Sequence, residues 1–180
     1  MVMASMAAEE IRYRRSRFAT RLAADRLYTA GHYWLRETEP GLWRVELAEP
    51  DLRERCVYTP GLWRVGLTAF ALRMLGEIVD LGFDVAPGSA VQLGQTVGWL
   101  EGFKAVSDLY VPFSGTFEGG NPALDQGAAI VRKDPYGEGW LFALRGTPGE
   151  GCLDVHGYVS VLDATIDKML GKRHESGSTE

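Results

Sequence analysis

At 180 residues the chain is sized for one domain with a substantial core. Its 46% apolar and 24% charged content is that of a globular protein, and a net charge of −5 leaves no basic footprint for broad nucleic-acid binding. No run approaches the roughly 20 apolar residues of a membrane helix, and two isolated cysteines, Cys56 and Cys152, argue against a disulfide framework and for a reducing compartment such as the cytoplasm.

In chain order, residues 1–26 read as a basic N-terminal extension. Ile11, Phe18 and Leu22 can share one helical face, ringed by Arg12, Arg14, Arg15, Arg17 and Arg21. The segment lacks the apolar core of a secretory signal, and Glu9 and Glu10 interrupt the acid-poor character of a transit peptide. A single body over 27–171 follows, with a polar, flexible tail over 172–180. Within the body, Tyr28–Trp34 and Leu42–Leu47 read as strands separated by Pro40-Gly41. Pro40-Gly41-Leu42-Trp43-Arg44-Val45 recurs as Pro60-Gly61-Leu62-Trp63-Arg64-Val65, which predicts two similar strands rather than a solenoid. Residues 49–58 between them form an inserted hairpin or loop, with Arg53, Glu54 and Arg55 as a solvated rim.

Thr68 is an N-cap for a short helix over Ala69–Leu75, which Gly76 stops. From Ile78 onward, short β segments alternate with Gly and Pro punctuation, the pattern of a small sandwich or flattened barrel. Asp154 caps a final helix with an apolar stripe of Val155, Val159, Leu162, Ile166 and Met169 or Leu170. Lys168, Lys172 and Arg173 complement its negative end.

Lys104 stands out within Val97-Gly98-Trp99-Leu100-Glu101-Gly102-Phe103-Lys104-Ala105-Val106-Ser107-Asp108. Strands over Val97–Leu100 and Leu109–Val111 put it at a hairpin tip, where the sheet fixes the base and the amine projects. Phe103 and Val106 are expected to bury and stiffen that base. In Asp134-Pro135-Tyr136-Gly137-Glu138-Gly139-Trp140, Pro135 fixes φ, Gly137 and Gly139 permit positive φ, and two aromatics anchor the turn. No G-x-S-x-G elbow, phosphate loop or metal-binding spacing occurs, and His32, His156 and His174 do not group, so an independent active site is not expected.

These motifs, in order, resemble the glycine cleavage system H protein over most of residues 27 to 170. Glu101, Lys104, Ala105, Ser107 and Asp108 match its Glu-x-x-Lys-Ala-x-Ser-Asp segment. Pro112, Ser114 and Gly115 match Pro-x-Ser-Gly, and Asn121, Ala123 and Leu124 match Asn-x-Ala-Leu. Asp134 to Trp140 match the family's Asp-Pro-Tyr-Gly-x-Gly-Trp, while Gly66-Leu67-Thr68 and Leu75-Gly76-Glu77-Ile78-Val79 resemble two upstream elements.

The resemblance implies a β-rich lipoyl/biotinyl-type barrel-sandwich hybrid of two small antiparallel sheets, with a short internal helix and a C-terminal helix. It implies a non-catalytic carrier, a monomer when free, with lipoic acid joined by an amide to Lys104. Glu101, Phe103, Ala105, Ser107 and Asp108 form the context that a lipoate ligase or lipoyltransferase reads. The carrier shuttles an aminomethyl group between a pyridoxal-phosphate glycine decarboxylase, a folate-dependent aminomethyltransferase and a dihydrolipoyl dehydrogenase. Gly31-His32-Tyr33-Trp34 stand where the family has Ser/Lys-His-Glu-Trp, which makes His32 and Tyr33 the arm-docking candidates without the usual acid. Arg132 and Lys133 replace an Asn-Glu pair. These departures keep two alternatives open: a lipoate carrier or relay for another pathway such as sulfur oxidation, and an unmodified H-like scaffold. A biotin carrier fits poorly, because Phe103 and Ala105, not methionines, flank Lys104.

Overall fold

The computed structural model of the chain describes residues 9–48 and 53–176. The chain begins with a hairpin of β1 (Glu10–Arg15) and β2 (Phe18–Ala23), then runs through β3 (Leu27–Thr29) and β4 (Tyr33–Glu39). A second hairpin, β5 (Leu42–Ala48) and β6 (Arg53–Thr59), precedes β7 (Gly61–Leu67) and helix α1 (Ala69–Leu75). Next come β8 (Ile78–Phe83), β9 (Ser89–Val91), β10 (Thr96–Gly102), β11 (Val106–Tyr110) and β12 (Gly115–Gly120). A 3₁₀ turn over Pro122–Gln126, helix α2 (Ala129–Lys133), β13 (Phe142–Gly146), β14 (Cys152–Leu153) and helix α3 (Val155–Ser176) complete the fold.

Two antiparallel sheets share one core, as the barrel-sandwich expectation requires. The larger has the order β14-β3-β4-β7-β13-β12-β9 and the smaller the order β11-β10-β8. Val65, Phe117, Phe142 and Leu144 from the first meet Val97, Leu100 and Leu109 from the second, all essentially inaccessible to water. Helix α1 caps one end of this core through Ala71 and Leu72. Its start follows the sequence: the Thr68 hydroxyl accepts the Ala71 N–H at 3.4 Å. Gly76 ends it at a φ of 84°, the left-handed region that glycine enters without strain.

A second core joins the N-terminal hairpin to α3. Tyr13, Phe18 and Leu22 pack with Tyr28, Trp34, Phe70, Tyr158, Leu162 and Ile166. The expected helical face through Ile11, Phe18 and Leu22 is therefore corrected. Ile11, Tyr13 and Arg15 turn inward at every second position, as do Phe18, Thr20 and Leu22, and that is strand spacing. Ser16, at a φ of 52°, reverses the chain so that Arg15 pairs with Phe18. The hairpin is tied to α3 by Tyr13, whose hydroxyl donates to Asp163 at 2.9 Å, and by Arg15, which bridges Asp163 and Asp167. Arg15 holds the Asp167 carboxyl below its ordinary range, while burial together with Asp163 pushes the Tyr13 phenol up.

Three further expectations change. Tyr28–Trp34 is not one strand, because a turn closed by the His32 N–H on the Thr29 carbonyl at 3.0 Å, with His32 at a φ of 64°, divides it into β3 and β4. Helix α3 starts where Asp154 predicts, its carboxylate accepting the Gly157 N–H at 2.7 Å, but it continues to Ser176 through most of the expected tail. The inserted segment is a hairpin: β5 and β6 pair from Leu42↔Thr59 to Ala48↔Arg53. Residues 49–52 and the side chains of Arg53, Glu54 and Arg55 lie outside the described part, as do residues 177–180. In the Asp134–Trp140 turn, neither Gly137 nor Gly139 takes a positive φ. Space makes them glycine instead: a Cβ at 137 would collide with the Asp134 carboxylate, and one at 139 would lie 2.7 Å from two carbonyl oxygens.

If the N-terminal hairpin is integral to the fold, Leu22→Ala, which empties a fully buried site, lowers unfolding stability by about 2–5 kcal/mol in a urea melt. A loss well below about 1 kcal/mol would mark the hairpin as an appendage.

Candidate functional site

Strands β10 and β11 pair through Trp99↔Asp108, Leu100↔Ser107 and Glu101↔Val106, which leaves Phe103 and Lys104 as a two-residue tip. Gly102 and Ala105 close the turn with reciprocal bonds: the Gly102 N–H donates to Ala105 at 2.8 Å and the Ala105 N–H donates to Gly102 at 3.2 Å. The tip does not stand free of the body. The Lys104 N–H donates to the Leu75 carbonyl at the end of α1 (2.9 Å), and the Phe103 N–H donates to the Glu77 carbonyl (2.7 Å). Close approach requires glycine here. A Cβ at Gly102 would run into the Leu75 carbonyl oxygen, and one at Gly76 would press on the Lys104 stem at 3.1 Å from Cγ. The main chain of Lys104 is held while its side chain is exposed.

Beside the tip lies a cavity of about 520 Å³. Met74 and Leu75 of α1, Leu67, Ala71 and Val111 supply apolar wall, while His32, Tyr33, Ser107 and Asp108 bring polar groups to it. Tyr33 is buried, its hydroxyl accepting the Tyr110 N–H at 3.0 Å, and burial raises its phenol pKa. The Asp108 carboxylate accepts the Tyr110 hydroxyl at 3.1 Å and is the only carboxylate lining the cavity among the described residues. His32 is half-buried, with Nδ1 3.0 Å from the Tyr158 hydroxyl; that hydroxyl lies 2.9 Å from the Thr68 hydroxyl. Desolvation lowers the His32 pKa, so the ring favours its neutral form.

The structure thus brings His32, Tyr33, Ser107 and Asp108 to one cavity, which Leu75, the residue that holds the Lys104 main chain, also lines. Glu101, Phe103 and Ala105 stay outside the cavity on the exposed face of the hairpin. Phe103 and Val106 do not stiffen its base: they are 81% and 70% exposed, because the bonds that hold the tip come from the main chain. Met74, Leu75, Tyr110 and Tyr158 were not legible as site residues. The end of α1 was, but nothing local says that it touches residue 104.

The Asp134–Trp140 turn acts behind the site. Its Pro135 carbonyl accepts the Trp34 indole N–H at 2.9 Å, and the Tyr136 hydroxyl accepts the Ala69 N–H at 3.0 Å, joining β4 to the start of α1. Asn121 locks the same turn, donating to the Glu138 and Trp140 carbonyls at 2.7 and 2.8 Å.

The chain as a whole also has known counterparts. The family model described as glycine cleavage H-protein matches residues 56–153. The chain belongs to the glycine cleavage H-protein family. A glycine cleavage system H protein of Corynebacterium jeikeium is 32% identical over 77% of this chain and 95% of its own length. One from Mycobacterium bovis is 35% identical over 69% of this chain and 77% of its own length. The crystal structure of a glycine cleavage system H protein from Mycobacterium marinum superposes with a TM-score of 0.60 at 34% identity, covering 77% of this chain and 97% of that one. As an H-protein fold, the chain has among its described residues no helix long and apolar enough to cross a membrane.

Two outcomes are expected. The His32 pKa is lowered on folding from about 6.5, so the unfolded chain binds more protons just below that pH, and stability falls as pH drops from about 6.5 toward the lowered value. His32→Asn, which keeps a residue tolerant of positive φ, flattens the melting-temperature profile in that window. Gly102→Ala costs about 1–3 kcal/mol and moves the Lys104 amide resonance, because the Leu75 carbonyl must shift to make room.

Proposed function

We propose that this protein is the lipoyl-bearing shuttle of glycine cleavage and that Lys104 is its attachment point. The observation that carries the reading is the clamped tip, which fixes the main chain of an exposed lysine to the end of α1, a helix whose Met74 and Leu75 also line a cavity. The H-protein membership supports the carrier role. Bound lipoate supplies a dithiolane that accepts and gives up the aminomethyl group and its electron pair.

The chain's own residues position and protect. Main-chain bonds donated by Lys104 and Phe103 to the Leu75 and Glu77 carbonyls hold the tip, so the arm starts from a fixed post and meets each partner at raised effective concentration. Leu67, Ala71, Met74 and Leu75 give a chain of methylenes an apolar resting place away from water. Asp108, oriented by Tyr110, faces a cationic cargo. Neutral His32, held through Nδ1 by Tyr158, brings no competing charge. In this reading bond-making belongs to the partners: a pyridoxal-phosphate decarboxylase, a folate-dependent aminomethyltransferase and a flavin dehydrogenase.

Intact-mass spectrometry with peptide mapping tests this. A lipoyl adduct is expected on Lys104 in the native host and absent from Lys104→Arg, with loading by glycine decarboxylase seen only for the adduct-bearing protein. Lys104 left unmodified while other lipoyl proteins of the same cells are modified would overturn the reading.

A further inference from the structure

The N-terminal hairpin also walls a second cavity, remote in composition from the Lys104 site. It has a volume of about 800 Å³ and is lined by Glu10, Thr20, Arg21, Ala23, Arg26, Ala69 and the Pro135-Tyr136 bend. Arg26 is the anomaly in it. Arginine seldom loses contact with water unless it is paired, yet this side chain is only 7% exposed. Its guanidinium carbon lies 4.5 Å from the centre of the Trp34 ring and 5.5 Å from that of Tyr136. Stacking on aromatic faces satisfies the charge but leaves the in-plane N–H groups in need of acceptors. Nε finds one, the Asp25 carboxylate at 3.3 Å, whereas Nη1 is buried with no partner among the described residues. A buried guanidinium edge without an acceptor is a costly arrangement.

We propose that this cavity binds a small organic oxyanion, a carboxylate or a phosphate ester, with Arg26 and Arg21 as its cationic contacts. With Nε on Asp25 and Nη1 closed to water, Arg26 faces the cavity as an oriented positive charge held by the stacked rings, and the exposed Arg21 supplies the accessible guanidinium N–H groups. Thr20 adds a hydroxyl at the wall, and Ala23, Ala69 and the Tyr136 ring offer apolar surface to the ligand's body. Two carboxylates oppose entry. Asp25 stays on Nε, while Glu10 lies 3.4 Å from Arg21, an exposed and yielding pair that an incoming anion displaces. Thr20, Arg21 and Arg26 precede the segment matched by the H-protein model, whereas Ala69, Pro135 and Tyr136 lie within it.

The test is arginine side-chain ¹⁵N–¹H NMR on the full chain, titrated with inorganic phosphate, with succinate and with chloride at equal ionic strength. A saturating shift of the Arg26 Nε–H with phosphate or succinate but not with chloride is expected, and Arg21→Gln, an exposed change that spares the fold, should weaken it about tenfold. Saturation by phosphate alone assigns a phosphate ester, and saturation by succinate alone a carboxylate. No saturating shift with either probe, an equal response to chloride, or unaltered binding in Arg21→Gln would overturn the proposal.

Discussion

Two main-chain hydrogen bonds, from Lys104 to Leu75 and from Phe103 to Glu77, set the geometry on which the rest of the site depends. A two-residue tip on a two-strand ribbon would otherwise be free to rock. Here it is fastened to the end of a helix that is itself packed on the main core and capped at its start by Thr68. The carbonyls at a helix end lack intrahelical donors, and the hairpin supplies one to Leu75. One contact therefore satisfies the helix and fixes the lysine.

The start of α1 is fixed from the other side. Tyr136 accepts the Ala69 N–H, Pro135 accepts the Trp34 indole, and Asn121 holds the turn that carries both. The aromatic turn downstream of the lysine hairpin thus positions the helix that positions the lysine. Tyr158 extends the chain of support into α3, touching both Thr68 and His32. Because α3 also anchors the N-terminal hairpin through Asp163 and Asp167, the start of the chain is joined to the same framework.

Features written in local chemistry were legible in the sequence. Thr68 and Gly76 bounded α1, Asp154 marked the start of α3, and the strand segments Val97–Leu100 and Leu109–Val111 on either side of Lys104 gave the hairpin. What escaped was contact between distant segments. No local pattern joins Leu75 to residue 104, and the polar tip of Tyr158 kept it out of an apolar stripe although its ring is fully buried. The N-terminal hairpin was misread because arginines dominate its composition. Period-two burial at Ile11, Tyr13 and Arg15 becomes visible only when α3 is there to receive it. Phe103 was expected inside because it is apolar, but a tip held by its own backbone has no need to bury a side chain.

The backbone clamp holds the tip without using the charge of Lys104. Nothing that grips the tip is a side-chain charge, so converting the far end of Lys104 from a cation to a neutral amide leaves every gripping atom as it was. The grip on the tip is blind to the chemical state of the residue it holds, so the post stands in the same place whether bare or dressed.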